Sequence, residues 1–370
     1  MKKVAVLGST GSVGRQTLEV IRAHADELSA CALSCHTNTR LMQEQARQFG
    51  VKTLVSTQNI ECEGTVYSGE DALVRYAAEG DYDILVVAVG GLSGLKPTLA
   101  ALHRDKIVCL ANKESLVCGG RFVMDAVISS NGVLLPVDSE HSAVWQSLEG
   151  NRYRDIKRII LTASGGALRD YPLDKLPLAT PREVLAHPNW AMGDKITVDC
   201  ATMVNKAFEV VEAHYLFDVP YEDIDVLVHR ESVVHSMVEL RDNSVKAQLG
   251  VPDMRLPIQY ALLYPARRPS LVGALDLVGR SLTFEGLDEA RYPAFRCVVD
   301  ASAQSTAKAV AAVAADEAAV KAFLDGHIPL GGIHTILQRA VDAFDGNVRD
   351  LADVWRIYAE AAQTAKEGLC

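Results

Sequence analysis

Three glycines, Gly8, Gly11 and Gly14, recur at three-residue intervals between a β-branched run at residues 4–7 and an amphipathic stretch at residues 13–23. A glycine-paced passage from strand into helix exposes backbone N–H groups and a positive helix end, which together suit an anion. The spacing is GxxGxxG rather than GxGxxG, so in isolation a nucleotide loop and a plain tight turn both fit it. The surrounding pattern narrows the choice. Strand-like runs follow at residues 30–34, 53–56, 84–89, 107–110 and 133–137, with helical stretches such as residues 116–129 between most of them. Alternating β and α units fold as a parallel sheet with helices on its faces. Such a sheet favours the nucleotide reading of the glycine loop over the plain turn.

The pattern changes near residue 139. Residues 156–162, 226–229, 233–240 and 245–249 read as strands, and Arg241-Asp242-Asn243-Ser244 reads as the turn of an antiparallel hairpin. Tyr264-Pro265-Ala266-Arg267-Arg268-Pro269 reads as a linker, and residues 299–325 and 333–368 carry helical periodicity. Half of residues 301–322 are alanine, the strongest helix former and one that permits close helix contacts. The expected fold is α/β. A Rossmann-like parallel-sheet domain takes residues 1–138, and an α+β domain takes 139–265. A linker at 266–298 then leads to a small C-terminal helical bundle at 299–370.

Composition excludes several classes. With 49% hydrophobic and 23% charged residues, the 370-residue chain is neither disordered, fibrous nor a disulfide-stapled miniprotein. Thirty-seven Lys and Arg against 47 Asp and Glu leave a net charge of −10, which argues against nucleic-acid or anionic-membrane partners. A local basic pocket for a phosphorylated metabolite remains compatible with it. Eight cysteines without a CxxC pair read as reduced thiols rather than a zinc cluster or disulfide framework. The first apolar run stops at Gly8, too short for a signal peptide, and no run approaches the ~20 apolar residues that span a bilayer. A cytoplasmic protein is expected.

Several segments could carry chemistry. Ser34-Cys35-His36-Thr37-Asn38-Thr39-Arg40, after the second strand, holds no acid to accept from a ribose 2′-hydroxyl, which favours NADP(H) over NAD(H). Asp138 and Glu140 close the sixth strand; two apart on extended chain, they point one way and can converge on a cation, although surface carboxylates are equally common. Asn205, Lys206 and Glu209 share a helix face through their i+3 and i+4 spacings, as a surface ion pair would too. Three carboxylates without Cys or His favour a hard ion, Mg²⁺ or Mn²⁺. Ser164-Gly165-Gly166 after a strand reads as a phosphate nest or a turn, and residues 187–193 as a lid or a Trp-anchored loop. Asn112, Lys113 and Glu114 follow a parallel strand at the ligand-binding edge. His141, His229 and His235 have no Ser or Cys partner at suggestive spacing and read as packed or surface residues.

Taken in order, GSTGSVG at 8–14, LANKESLV at 110–117, LPVDSEH at 135–141, HPNWAMGDKITVD at 187–199, ATMVNKAFE at 201–209 and QLGVPDMRLPI at 248–258 resemble the 1-deoxy-D-xylulose 5-phosphate reductoisomerase family. The resemblance spans almost the whole chain. It implies conversion of that sugar phosphate to 2-C-methyl-D-erythritol 4-phosphate, using NADPH and Mg²⁺ or Mn²⁺, on the non-mevalonate route to isoprenoid precursors. A retro-aldol/aldol rearrangement and hydride reduction are implied, as is a homodimer. The metal ligands implied are Asp138, Glu140 and Glu209, which with Lys113 and His187 form the catalytic set. Substrate contacts implied are Lys113, Ser139, Glu140, Ser164, His187, Cys200, Asn205, Lys206 and Glu209. Nucleotide contacts implied are Thr10, Gly11, Ser12, Val13, Asn38, Asn112, Glu114 and Gly193, with Trp190 on a lid.

Three departures stand out. The family usually reads VDSATM where this chain has Val198-Asp199-Cys200-Ala201-Thr202-Met203, so Cys200 replaces a serine expected near the phosphate. His36-Thr37 replaces a glycine and a basic or small polar residue, and His229-Arg230-Glu231-Ser232 replaces HPQS. Two other functions compete. An aspartate-semialdehyde-dehydrogenase-like enzyme would need a thiolate, with Cys109, Cys118 and Cys200 as the candidates. An NADP-binding redox sensor would keep the fold without catalysis.

Overall fold

The computed structural model describes residues 1–58, 60, 63–186 and 193–368. It divides into two compact units. The first comprises Met1–Ser115, Arg121–Ser142 and Asp253–Ala274; the second comprises Leu116–Gly120, Ala143–Pro252 and Leu275–Cys370.

The first unit is built on seven strands, β1 (Lys2–Leu7), β2 (Leu28–Cys35), β3 (Thr53–Ser56), β4 (Thr65–Ser68), β5 (Ile84–Val87), β6 (Ile107–Leu110) and β7 (Val133–Pro136). They pair in the order β4-β3-β2-β1-β5-β6-β7, parallel throughout. Central strands covered on both faces read as unbroken apolar runs, and Ile84, Leu85, Val86 and Val87 are all at most 1% exposed. The strand order reverses between β1 and β5, and ligands of such sheets bind at that switch point beyond the carboxyl ends. Around the sheet run α1 (Ser12–Ala23), α2 (Thr39–Phe49), α3 (Ala72–Glu79), α4 (Leu95–Leu102) and α5 (Lys113–Ser129). Asn38 caps α2 by accepting from the Leu41 N–H at 3.1 Å, and Gly50 ends it with φ +66°. A further helix, α6 (Ser139–Ser147), starts in the first unit and ends in the second.

The second unit holds a mixed sheet of β8 (Ile156–Ala163), β9 (Ile224–Val228), β10 (Val234–Leu240), β11 (Val245–Leu249) and β12 (Glu285–Gly286), ordered β11-β10-β8-β9-β12. The hairpin between β10 and β11 turns where expected: Asn243 takes φ +66°, and the Leu240 N–H donates to the Ser244 carbonyl at 2.8 Å. Before β9 come α7 (Pro181–Val184), α8 (Asp194–Thr202) and α9 (Val204–Phe217), the last two joined by Met203 alone at φ +62°.

The next helix, α10 (Arg255–Leu263), belongs to the first unit and packs on α1. His24 Nε2 lies 3.1 Å from Gln259 Oε1, and Arg255 pairs with Glu19 at 3.2 Å. Residues 253–274 therefore differ from the expected α+β-domain and linker assignment. Ile258, Ala261 and Leu262, at most 2% exposed, mark α10 as buried, but an apolar helix does not announce which sheet it covers. The chain ends in α11 (Pro293–Gln304), α12 (Thr306–Leu324), α13 (Leu330–Asp342) and α14 (Leu351–Glu367), grouped with the five-stranded sheet in one unit. Alanines let α12 sit centrally: Ala309, Ala311, Ala312, Ala314 and Ala315 are at most 3% exposed. Among the described residues, no helix is long and apolar enough to cross a membrane.

Candidate active site

The glycine loop is closed by two of its glycines and left bare by the third. Gly8 takes φ +88°, and a Cβ there would lie 2.3 Å from the Ala88 carbonyl oxygen. At Gly14 it would lie 2.2 Å from the Gly8 carbonyl oxygen, but at Gly11 it would meet nothing nearer than 3.4 Å. Polar side chains anchor the turn from below. The Gly8 N–H donates to Ser34 Oγ at 2.8 Å, and Gln45 Nε2 donates to the Ser9 carbonyl at 2.9 Å. Thr10, Gly11, Ser12 and Val13 stay exposed or half-buried, and no side chain caps the start of α1. A bare positive helix end beside a cradle that excludes Cβ atoms fits a dinucleotide pyrophosphate. Beyond β2, His36 Nδ1 lies 3.1 Å from Thr57 Oγ1, and Arg40 projects 91% exposed beside Glu44.

At the end of β6, Asn112 is 2% exposed and its amide is fully engaged. Its oxygen accepts from the Ser115 N–H, capping α5, while Nδ2 donates to the Val89 and Gly91 carbonyls and to Glu114 at 2.8–3.0 Å. Asn112 thus ties the loop after β5 to α5 and holds Glu114 in place.

Asp138 follows β7, and the extended path expected through Glu140 is replaced by the start of a helix, which still leaves a carboxylate oxygen of each residue within 4.8 Å of the other. The chain turns into α6 at once, because Asp138 Oδ1 accepts from the Glu140 N–H at 3.0 Å, the capping role that aspartate favours. Lys113 Nζ donates to the Asp138 carboxylate, and His141 Nδ1 lies 3.3 Å from it; these three side chains are 14%, 11% and 0% exposed for Lys113, Asp138 and His141. Burial opposes ionisation of Asp138. The Lys113 charge, together with the hydrogen bond and charge from His141, outweighs it and holds the carboxyl well below the usual range. Ser139 donates its hydroxyl to Glu140.

In the second unit, α9 carries the other anionic cluster. Asn205 Nδ2 donates to Glu209 Oε1 at 2.6 Å and Lys206 donates to Oε2, with all three residues at most 9% exposed. This is no solvated ion pair. Stranding either charge would cost roughly 3–5 kcal/mol. Nearby in sequence to β8, Gly165 and Gly166 take φ +81° and +69°, turning the 164–166 backbone into a nest. Arg169 Nη1 donates to the Ser164 carbonyl at 2.8 Å, and the Tyr292 hydroxyl donates to the Gly165 carbonyl at 2.9 Å. Burial pushes the Tyr292 phenol up to about 12, so it remains a donor at neutral pH. Gly166 lies so close to Cys200 that a Cβ would sit 2.6 Å from the Cys200 carbonyl oxygen. The anionic donors are all oxygen, the chemistry of a hard divalent cation, and Asp138 and Glu209 are each already matched by an ammonium.

Comparison with known proteins settles the family. The family model described as 1-deoxy-D-xylulose 5-phosphate reductoisomerase matches residues 4–120, its C-terminal domain model matches 134–217, and a DXP reductoisomerase C-terminal domain model matches 249–364. The 1-deoxy-D-xylulose 5-phosphate reductoisomerase of Thermotoga neapolitana is 46% identical over 369 residues, covering 99% of this chain and 96% of that one. The chain belongs to the 1-deoxy-D-xylulose 5-phosphate reductoisomerase family. Among solved structures, a DOX-P reductoisomerase in complex with NADPH, fosmidomycin and magnesium superposes with TM-score 0.93 at 33% identity, over 100% of this chain and 98% of that one. The Zymomonas mobilis enzyme in complex with NADPH gives 0.91 at 37% identity, over 100% and 99%.

For a member of the reductoisomerase family, sequence reasoning located most of the polar clusters. Lys113, Asp138, Ser139 and Glu140 fall on adjoining element ends in the first unit; Ser164, Cys200, Asn205, Lys206 and Glu209 fall on the nest, α8 and α9 in the second. Gly193 stands exposed just before α8. His187 and Trp190 lie outside the described residues. Three supporting side chains escaped notice. His141, read as merely packed, sits one turn from Asp138, a spacing that could have flagged it. Arg169 and Tyr292 carry no local signal, because Tyr292 reaches the nest from far along the chain.

Proposed function

We propose that this chain rearranges and reduces 1-deoxy-D-xylulose 5-phosphate to 2-C-methyl-D-erythritol 4-phosphate with NADPH and Mg²⁺ or Mn²⁺, on the non-mevalonate route to isoprenoid precursors. One observation carries the reading: anionic oxygen donors, Asp138 and Glu209, are buried and lysine-matched on a chain whose first strand ends in a bare glycine loop. Family membership and the NADPH and magnesium complexes of its structural neighbours support it. When bound, the cation polarises the substrate carbonyl and NADPH supplies hydride.

The chain's residues do the rest. Asp138, Glu140 and Glu209 hold the cation, and Ser139 orients Glu140 through its hydroxyl. Lys113 keeps Asp138 ionised and faces the substrate. Ser164, Cys200, Asn205 and Lys206 hold the phosphate, so that binding energy remote from the reacting carbons orients them. Thr10, Gly11, Ser12 and Val13 hold the pyrophosphate of NADPH, and Asn38, Asn112, Glu114 and Gly193 border the nucleotide. The chain acts as a cytoplasmic homodimer: Cys31, Cys35, Cys109 and Cys297 are free thiols, and Leu277, Val278, Leu282 and Phe284 expose 36–89% of their surface for a second copy to cover.

The deciding assay follows NADPH oxidation with 1-deoxy-D-xylulose 5-phosphate, with and without Mn²⁺. Metal-dependent turnover is expected, with NADPH preferred over NADH by at least roughly tenfold at low salt and less as salt screens the 2′-phosphate. No turnover, or equal efficiency with both nucleotides, would refute the reading. A thiolate dehydrogenase finds less support: Cys109 is fully buried and its thiol is pushed up to about 12.

Cys200 gives a sharper test of the phosphate site. A thiol donates a weaker, longer hydrogen bond than a hydroxyl, and a bond to a charged acceptor contributes about 1.5–3 kcal/mol. Cys200→Ser is therefore expected to lower the substrate KM, and the Kd of a phosphonate analogue, roughly threefold to tenfold with kcat nearly unchanged. Unchanged or weaker binding would make Cys200 a packing residue.

A further inference from the structure

In the second unit, a single ammonium group is shared by three helices. Lys195 Nζ, on the first turn of α8, lies 2.6 Å from Asp199 one turn along and 2.6 Å from Asp316 of α12. It also stands over the Phe208 ring of α9, 5.6 Å from the ring centroid. Asp316 is 0% exposed and Asp199 3%, so two buried carboxylates from two helices lie against the same ammonium. A buried carboxylate is tolerated only while its partner stays in place, which makes the three-way contact intolerant of sliding.

The helices so joined are unequal. α12 is fixed inside the alanine-packed bundle, whereas α8 carries Cys200 and α9 carries Asn205, Lys206 and Glu209. Met203 is the single residue of chain between α8 and α9, and its left-handed backbone leaves little slack. A shift of α8 against α12 is therefore passed on to α9.

We propose that Lys195 and Asp316 are positioning residues, a clamp that holds α8 and α9 on the bundle in the register required by the phosphate end of the substrate site. The inference rests on the substrate site proposed above. Asp316→Asn and Lys195→Gln are each expected to raise the substrate KM about tenfold while kcat falls less than about threefold and the NADPH KM stays within about twofold. The double variant should be hardly worse than either single one, since both break one contact. Lys195→Arg, which keeps the charge and can reach both carboxylates, should restore most of the affinity. Lys321→Met, breaking the exposed Lys321–Asp325 pair at the end of the same α12, is the control and should change nothing.

A merely structural role would lower the thermal midpoint and worsen the NADPH and substrate KM together. That outcome overturns the proposal, as do additive effects or a substrate KM that moves less than about twofold. Should Asp316→Asn fail to fold, Lys195→Gln, whose side chain is 35% exposed, reads the same quantity. Lys206→Gln separates the two levels. If it leaves the substrate KM unchanged, the substrate-site reading fails; if it raises KM while the clamp variants do not, only the clamp fails.

Discussion

Glu209→Gln is expected to lower turnover by on the order of 10³-fold while the Kd for NADPH stays within about twofold. The amide keeps the shape and hydrogen-bonding reach of the side chain but removes the anionic charge that a divalent cation needs. Asp138→Asn and Glu140→Gln should do the same to turnover, and any two together should be far from additive, since in the proposed site all three would serve one ion. Stability separates them. Glu209 is the buried counter-charge of Lys206, so Glu209→Gln should also cost about 3–5 kcal/mol in a denaturant titration. Glu140 is half-buried and its carboxylate accepts the Ser139 hydroxyl, so Glu140→Gln should cost less stability than Glu209→Gln. Metal-independent activity in any of the three would remove them from the metal site.

Gly14→Ala is expected to damage the fold and the nucleotide site together. Its methyl would lie 2.2 Å from the Gly8 carbonyl oxygen and 2.6 Å from Ser9 Cα, both backbone atoms that no rotamer change can move. Overpacking of this kind costs about 1–3 kcal/mol, and the displaced loop should weaken NADPH binding by at least roughly tenfold. Gly11→Ala is the contrasting case. There the nearest atom is 3.4 Å away, so the protein should melt normally, yet the methyl crowds the open N–H groups of α1 and NADPH should still bind more weakly. Thermal unfolding beside a nucleotide fluorescence titration checks both. If the two variants melted alike, the division between fold-closing and ligand-facing glycines would be wrong.

How much was readable in the sequence follows the range of the forces involved. The glycine loop, the hairpin at 241–244 and the shared face of Asn205, Lys206 and Glu209 depend on neighbours within a turn, and each is present. The strand at Thr65–Ser68 was invisible because it is short, at the sheet edge and only partly buried, leaving no apolar alternation to detect. The extended path expected through Asp138 and Glu140 gives way to a helical turn because capping, a local side-chain to backbone bond, overrides strand periodicity, yet the two carboxylates still converge to within 4.8 Å. Partnerships such as Lys113 with Asp138, Tyr292 with Gly165 and Lys195 with Asp316 are made by tertiary packing, which spacing along the chain does not encode.

The placement of α10 bears on how such a protein can be cut, shuffled or inherited. The covering of α1 that includes Gln259 and Arg255 is encoded more than a hundred residues after the last strand of the sheet it serves. A gene fragment ending at Ser142 would contain every strand of the parallel sheet and still lack part of that sheet's own helical layer. The parallel-sheet half is consequently not a cassette. Recombination, truncation or domain grafting at the natural-looking break after β7 separates pieces that fold as one, and a transplant that succeeds has to carry residues 253–274 along with the first 142.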